Sequence, residues 1–272
     1  MEYEINSKKS VRIGIKELLY YRELFYFFTL RDIKVKYKQT FLGFAWAILQ
    51  PLIMALIFTV FFSGIIGEKV NLGMPYPMFV LIGMIMWNVF SSGLSNASNS
   101  MINNANIIKK IYFPRLIIPM SSILVSVFDF LMAFVILVPF SFYYSTYFQF
   151  EALIYIPLAL LNTVLVTFGL GSFLAALNIK YRDFRYIVPF LIQSLLFISP
   201  VIYPADITDN EVMLWINKFN PMSLSLDLIR SSFSGSFEIS INVLFNLIST
   251  VLIFVVGLLY FKRTENYFAD IV

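Results

Sequence analysis

The sequence lacks both residue types that dominate metal and redox chemistry in proteins. It contains no cysteine and no histidine, which excludes disulfides and thiolate sites and removes the commonest metal ligand and proton shuttle. Charge is also scarce: 13% of the 272 residues are charged, whereas 59% are hydrophobic, and a soluble domain carries about 25% charged residues. Such a chain could not cover its apolar surface in water. We therefore expect an all-α integral membrane protein.

Two sequence signatures are missing as well. No G-x-x-x-x-G-K-[S/T] phosphate loop occurs, because the glycines around Lys69 have other spacings. A separate ATPase or an ion gradient must therefore drive any transport. The N-terminus begins with the acids Glu2 and Glu4 rather than with a basic region, which argues against a cleaved signal peptide.

Six apolar stretches are long enough to cross the hydrocarbon core, which takes about 20 residues in a helix. The predicted spans lie near residues 41–65, 78–96, 116–142, 152–177, 186–202 and 239–261. The chain accordingly divides into an N-terminal segment, 1–40, and a transmembrane domain, 41–272. Residues 203–238 mix polar residues with apolar runs too short to span. Short re-entrant helices are expected there, and an extracellular loop domain is the alternative.

Lysine and arginine residues orient these spans. Seventeen of the 20 lie before the first span, between the second and third, between the fourth and fifth, or after the last. The other three are Lys69, Lys218 and Arg230. Because cytoplasmic loops are enriched in Lys and Arg, both termini are expected in the cytoplasm.

A helix is predicted ahead of the first span, over residues 16–30. Its apolar residues recur at helical spacing while charged residues interrupt them, which is typical of an amphipathic helix in the cytoplasmic interface. The apolar positions are Leu18, Tyr21, Leu24, Phe25 and Phe28. The alternative is a segment of a soluble N-terminal domain, for which few residues are available.

Asp129 is the one acid well inside a predicted span, and no cation shares the predicted core with it. We favour a carboxyl that faces the bundle, protonated or hydrogen-bonded to groups such as Ser126, Asn162 or Ser172. The alternative is an ion-coupled carrier, which uses ionisable groups at membrane depth. A membrane enzyme acting on polyprenyl lipids would need clustered carboxylates for metal and phosphate, but the acids are scattered.

Residues 103–115 form a candidate docking site for a separate ATPase. The segment is short and can form about two helical turns before Pro114 resets the backbone. An apolar surface with two lysines beside it would make the contact: Ile107, Ile108, Lys109, Lys110, Ile111 and Tyr112. The alternative is a basic loop that only follows the positive-inside rule.

Aromatic residues are abundant, with 30 Phe and 16 Tyr. Rings stack on the C–H faces of sugars, and this weakly directional contact tolerates the sliding that a polymer conduit needs. Candidate pore-lining rings in the first and fifth spans are Phe41, Phe44, Trp46, Phe58, Phe61, Phe62, Phe190 and Phe197. The alternative for each ring is packing, or anchoring at the membrane interface.

Four segments together resemble the ABC-2 type permeases that export O-antigen, capsule and teichoic acid polymers. The first is LRDIKVKYK at 30–38, followed by LG at 42–43 and WAILQPL at 46–52. The others are KKIYFPR at 109–115 with Pro119, NIKYRD at 178–183 leading to SPVIY at 199–203, and NPM at 220–222 with Arg230. Each motif is weak alone, but they occur in order from residue 30 to residue 230.

The resemblance implies a homodimer of six-span subunits whose first and fifth spans line a continuous pore. It also implies two cytoplasmic ABC ATPase subunits, which bind ATP and Mg and grip the N-terminal helix and the loop, through Asn106 and the six residues after it. Tyr37 and Phe41 become candidates for guiding the sugar into the pore. The chain itself would be a non-catalytic inner-membrane subunit without a cofactor or nucleic-acid partner. Its substrate would be a lipid-linked polysaccharide of the O-antigen (lipopolysaccharide) type, with drugs or lipids as the alternative cargo.

Overall fold

A computed structural model describes residues 19–38, 40–67, 72–205, 207, 210–235, 240–265 and 268. The regular elements of these residues are all helical, which confirms the predicted all-α class for this part of the chain. The helices are α1 (Arg22–Tyr37), α2 (Ala45–Phe62), α3 (Tyr76–Asn103), α4 (Ala105–Ile108), α5 (Ile117–Tyr143), α6 (Ala152–Lys180), α7 (Phe184–Ile198), α8 (Glu211–Phe219), α9 (Pro221–Ser234) and α10 (Ile241–Thr264). A π-helical turn, Ser63–Gly67, extends α2.

Five of these helices are long and apolar enough to cross a membrane, namely α2, α3, α5, α6 and α10. They correspond to the first four predicted spans and to the sixth. The predicted fifth span forms α7, an apolar helix of 15 residues. At 1.5 Å per residue α7 is about 22 Å long, whereas the hydrocarbon core is about 30 Å thick. Helix length alone therefore supports five spans.

Three predicted boundaries differ from the observed helices by four residues or more. The first span begins as a helix only at Ala45, because Gly43 before it adopts a positive φ of 51°. The second continues to Asn103 instead of ending near residue 96. The fifth ends early because Ser199 is extended, with ψ of 146°, as expected of a residue that precedes proline.

The central helix of the bundle is α3. Its residues 78–87 are all buried, and α2, α5, α6, α7 and α9 pack against it. In lipid, such packing is favoured by close contact between helices rather than by removal of apolar surface from water. The packing around α3 therefore determines where the other helices lie.

Helices α6 and α10 run parallel and meet at two glycines. Thr250 Oγ1 donates a hydrogen bond to Asn162 Oδ1 at 2.8 Å, and seven residues further along both helices Gly257 lies against Gly169. A Cβ atom at Gly257 would lie 1.9 Å from the Gly169 carbonyl oxygen, an approach that only glycine permits. Because the two helices share one direction, the chain between them must return to the end of the bundle at which α6 begins.

The non-helical chain after α7 is held by two side chains from other helices. Buried Arg230 of α9 donates from Nη1 to the Pro200 carbonyl at 2.8 Å and from Nη2 to the Val201 carbonyl at 2.6 Å. The Tyr76 hydroxyl donates to the Ile202 carbonyl at 3.0 Å. Three successive carbonyl groups that leave the helical hydrogen-bond pattern therefore have side-chain partners.

Candidate functional site

One face of α1 packs on the bundle, and the opposite face is open. The Phe28 side chain is 2% exposed, and its ring centroid lies 5.7 Å from that of Phe113. Tyr21, just before α1, and two side chains of α1 are partly buried around the same apolar cluster, namely Leu24 and Phe25. The spacing of these apolar residues agrees with the prediction, but α1 continues to Tyr37, whereas the predicted helix ended at residue 30. Residues 16–18, where the predicted helix begins, lie outside the described residues.

Arg31 joins α1 to the end of α3. Its Nη2 atom donates to Asn104 Oδ1 at 2.7 Å and to Asp32 Oδ1 at 2.7 Å. Asn104 in turn donates from Nδ2 to the Ser100 carbonyl at 2.8 Å. The loop that starts at Asn104 is therefore fixed to two helices at once.

The loop presents the predicted ATPase-contacting residues on one protruding turn. Helix α4 contributes a single turn rather than about two, because the chain then bends inward to bury Phe113 and Pro114 ahead of α5. Ile108 is buried and Ile107 is partly buried, whereas Tyr112 is 84% exposed. The remaining predicted residues are also exposed: Asn106, Lys109, Lys110 and Ile111. Residues 108–113 and Arg115 line a groove of about 200 Å³.

The end of α10 holds the other side of the loop. The Arg115 backbone N–H donates to Glu265 Oε1 at 3.2 Å, and its guanidinium donates to the Glu265 carbonyl. Lys262 Nζ lies 2.6 Å from Glu265 Oε2. The sequence analysis did not predict that Arg31 and Glu265 hold this loop in place. The one available signal was that both residues are charged and lie in chain segments predicted to be on the same side of the membrane as the loop.

Asp129 of α5 is not an isolated carboxylate. Its two oxygens accept hydrogen bonds from Lys36 Nζ and from the Tyr37 hydroxyl, both at the end of α1. The pKa of the Tyr37 hydroxyl lies well above its usual value, mainly because the group is buried. Its hydrogen bond to Asp129 and the negative charge of that carboxylate raise the pKa further. The sequence places no cation in the predicted core with Asp129, but α1, which precedes that core, extends far enough along α5 to bring Lys36 beside the carboxylate.

The polar groups predicted to accompany Asp129 have other environments. The hydroxyls of Ser126 and Ser172 are buried and have no hydrogen-bond partner among the described residues. Asn162 instead donates to Ser225 Oγ at 2.8 Å and accepts from Thr250. The Asp129 carboxylate therefore forms an ion pair that connects α1 to α5. Because Asp129 has a partner, it no longer supports the ion-coupled carrier.

The predicted pore rings fall into two groups. Tyr37 is buried, with ring centroids 4.5 Å from Phe44 and 6.2 Å from Phe128. Phe58 is also buried, and Phe62 is partly buried 6.0 Å from it. The other predicted rings are exposed on this chain: Phe41, Phe44, Trp46, Phe61, Phe190 and Phe197. Their helices, α2 and α7, both pack against α3.

Comparison with known proteins gives consistent matches. The family model described as ABC-2 type transporter matches residues 23–234. An O-antigen export system permease protein RfbA of Klebsiella pneumoniae is 30% identical over 254 residues, which cover 93% of this chain and 96% of that protein. RfbA of Myxococcus xanthus is 25% identical over 209 residues, 76% of this chain and 79% of the relative. The polysialic acid transport protein KpsM of Escherichia coli is 25% identical over 249 residues, 87% of this chain and 92% of the relative.

Proposed function

The chain belongs to the ABC-2 type transporter family, and from that membership we propose that it is the permease subunit of an ATP-driven polysaccharide exporter. Relatives named for O-antigen export and polysialic acid transport match it over most of both chains, which favours polysaccharide over drugs or lipids as cargo. The proposed cargo is a lipid-linked polysaccharide of O-antigen type, moved across the inner membrane. The chain is non-catalytic, and a separate cytoplasmic ATPase binds ATP and Mg.

The observation that carries this proposal is that the loop between α3 and α5 is held in place by contacts with α1, α3 and the end of α10. Its exposed residues offer an ATPase a contact with both apolar and positively charged groups, while its buried residues connect it to three helices. Force on Tyr112 would pass to α1 through Phe113 and Phe28, and to α10 through Arg115 and Glu265. The ion pair of Lys36 with Asp129 would extend the movement from α1 to α5.

We further propose six spans, with α7 as the fifth and both termini in the cytoplasm. The parallel arrangement of α6 and α10 supports this count, since the chain between them has to cross back. Among the described residues between α6 and α10, only α7, together with the non-helical residues 199–203, is apolar enough to make that crossing. The paired carbonyl groups after α7 are consistent with α8 and α9 entering the outer leaflet as re-entrant helices.

Two copies of the chain, each with an ATPase, form the proposed exporter. The exposed rings of α2 and α7 would face each other between the two copies and line the pore. Rings that are exposed on one copy would line the pore once a second copy completes it. Weak stacking of the sugars on these rings would let the glycan slide through.

The loop is tested by reversing its charge. Lys109→Glu with Lys110→Glu should leave insertion and dimerisation intact but abolish glycan-stimulated ATPase activity and export, because the docking surface becomes repulsive toward its partner. Arg182→Glu with Arg185→Glu is the matched control, since it makes the same charge change at two exposed positions, one in the loop between α6 and α7 and one in the first turn of α7. Unchanged export by the Lys109, Lys110 variant would contradict the proposal, as would uphill glycan transport by this chain alone in vesicles.

A further inference from the structure

One face of α3 is polar along its whole second half. Between Leu81 and Met101 every position is buried except six, which are partly exposed. All six are asparagine or serine: Asn88, Ser91, Ser92, Ser95, Asn96 and Asn99. Their spacing of three and four residues places them on one side of the helix. We call this set the polar track.

Faces of this bundle that suit lipid have a different composition. Over Val251–Leu259 of α10, each exposed side chain is valine or leucine. The exposed positions in the middle of α5 are equally apolar, as at Leu131 and Val135. Because uncompensated amides are costly in hydrocarbon, lipid cannot cover the polar track as it covers α5 and α10.

The hydrogen-bonding capacity of the polar track is only partly used. The side-chain amides of Asn88 and Asn96 have no hydrogen-bond partner among the residues that the structure describes. Asn178 of α6 is 2% exposed and donates to Asn99 Oδ1 at 3.2 Å, while its own Oδ1 atom has no partner within the described ranges. The partly exposed amides of Asn88 and Asn96 remain able to bind water or a ligand rich in hydroxyl groups.

We propose that the polar track is the hydrogen-bonding wall of the translocation pore, and that it binds the hydroxyl groups of the passing glycan. This inference rests on the proposed function for the identity of the cargo. The helices α2 and α7, which carry exposed rings, both pack against α3. If α2 and α7 line the pore, α3 lies beside both of them, and its polar track forms part of the same wall. Rings stack on the apolar faces of the sugars, and short amide and hydroxyl groups exchange hydrogen bonds with the sugar edges.

The chain contains no cysteine, so single cysteines report on water access without background. Ser92→Cys and Ser95→Cys are conservative in size, and Val255→Cys on the apolar face of α10 is the matched control. Each variant is combined with its ATPase in membrane vesicles and treated with a charged, membrane-impermeant methanethiosulfonate reagent. Thiolates form and react only where water reaches. The two track cysteines should react at least about tenfold faster than the control, and bound lipid-linked glycan should slow them.

Reaction of Ser92→Cys and Ser95→Cys as slow as that of Val255→Cys would overturn the proposal. Disulfide formation between the track cysteines of two copies, without reagent labelling, would also overturn it, because the track would then be a dry contact between subunits. Labelling that glycan leaves unchanged would refute sugar binding by the track.

Export supplies a second readout. Asn88→Leu and Asn96→Leu should each lower glycan export about tenfold at unchanged ATPase assembly, whereas Asn96→Ser, which keeps a polar group, should lower export less. Equal export by the leucine and serine variants would refute the role in glycan binding. Accessibility is measured without any cargo, so it remains informative even if the Lys109, Lys110 test disproves the proposed function.

Discussion

Replacing Gly257 by alanine should separate α6 from α10. The added Cβ would lie 1.9 Å from the Gly169 carbonyl oxygen and 2.5 Å from its carbonyl carbon. A carbon normally approaches a carbonyl oxygen to about 3.3 Å, so the helices must part by about 1.4 Å. Both sides of the contact are backbone, and no side-chain rotation can relieve it. The separation would also stretch the hydrogen bond from Thr250 to Asn162.

Overpacking of this kind costs about 3 kcal/mol, which corresponds to a decrease of roughly 5–10 °C in the melting temperature of a chain of this size. The measurement is thermal unfolding of the purified subunit in nanodiscs, with and without its ATPase. Gly64→Ala is the control, because nothing lies within 4 Å of a Cβ at that position. The displacement should also reduce ATPase stimulation, since α10 carries Glu265 to the loop at Arg115.

If Gly257→Ala has the same melting temperature as the wild type and Gly64→Ala, the close crossing of α6 and α10 is refuted. That result would also remove the support that their parallel contact gives to six spans. A lower melting temperature with normal ATPase stimulation would refute only the transmission of force through the end of α10.

Three further outcomes follow from the contacts of α1 and α9. Phe28→Ala should destabilise the subunit by about 3 kcal/mol and uncouple ATPase activity from export, whereas Phe27→Ala on the exposed side of α1 should do neither; equal melting temperatures would contradict the packing. Arg230→Lys should lower stability by about 2 kcal/mol, because a lysine cannot reach two carbonyl groups in the same geometry, and unchanged thermal unfolding would argue against this role. Asp129→Asn leaves the Lys36 ammonium without its counter-ion, so hydrogen exchange of residues 22–37 should accelerate, and exchange at the wild-type rate would show that the pair does not hold α1.

The bundle was largely predictable because lipid imposes one simple rule on a helix. Apolar runs such as 116–142 and 152–177 became α5 and α6 with nearly the predicted ends, since a spanning helix must satisfy its own backbone. The fold at α3 was harder to predict. Its serine and asparagine residues look like the end of a span, yet the helix continues through them to Asn103.

Contacts between distant parts of the chain could not be read from the sequence. The pairing of Lys36 with Asp129 joins residues 93 positions apart, and nothing in the local pattern of either residue indicates the other. The same holds for Arg115 and Glu265, which lie 150 positions apart. The distribution of lysine and arginine predicts which chain segments lie on the same side of the membrane. It does not predict which of their residues come into contact, because that depends on how the helices pack.

The buried guanidinium of Arg230 constrains the order in which this protein is made. An arginine side chain is costly in hydrocarbon until acceptors surround it, and two of its acceptors, the carbonyls of Pro200 and Val201, belong to chain synthesised earlier. In the proposed six-span arrangement, α9 should therefore take its final position only after α7 has inserted and that short stretch is available. This part of the subunit would then assemble late in biogenesis, after the earlier helices have left the translocon.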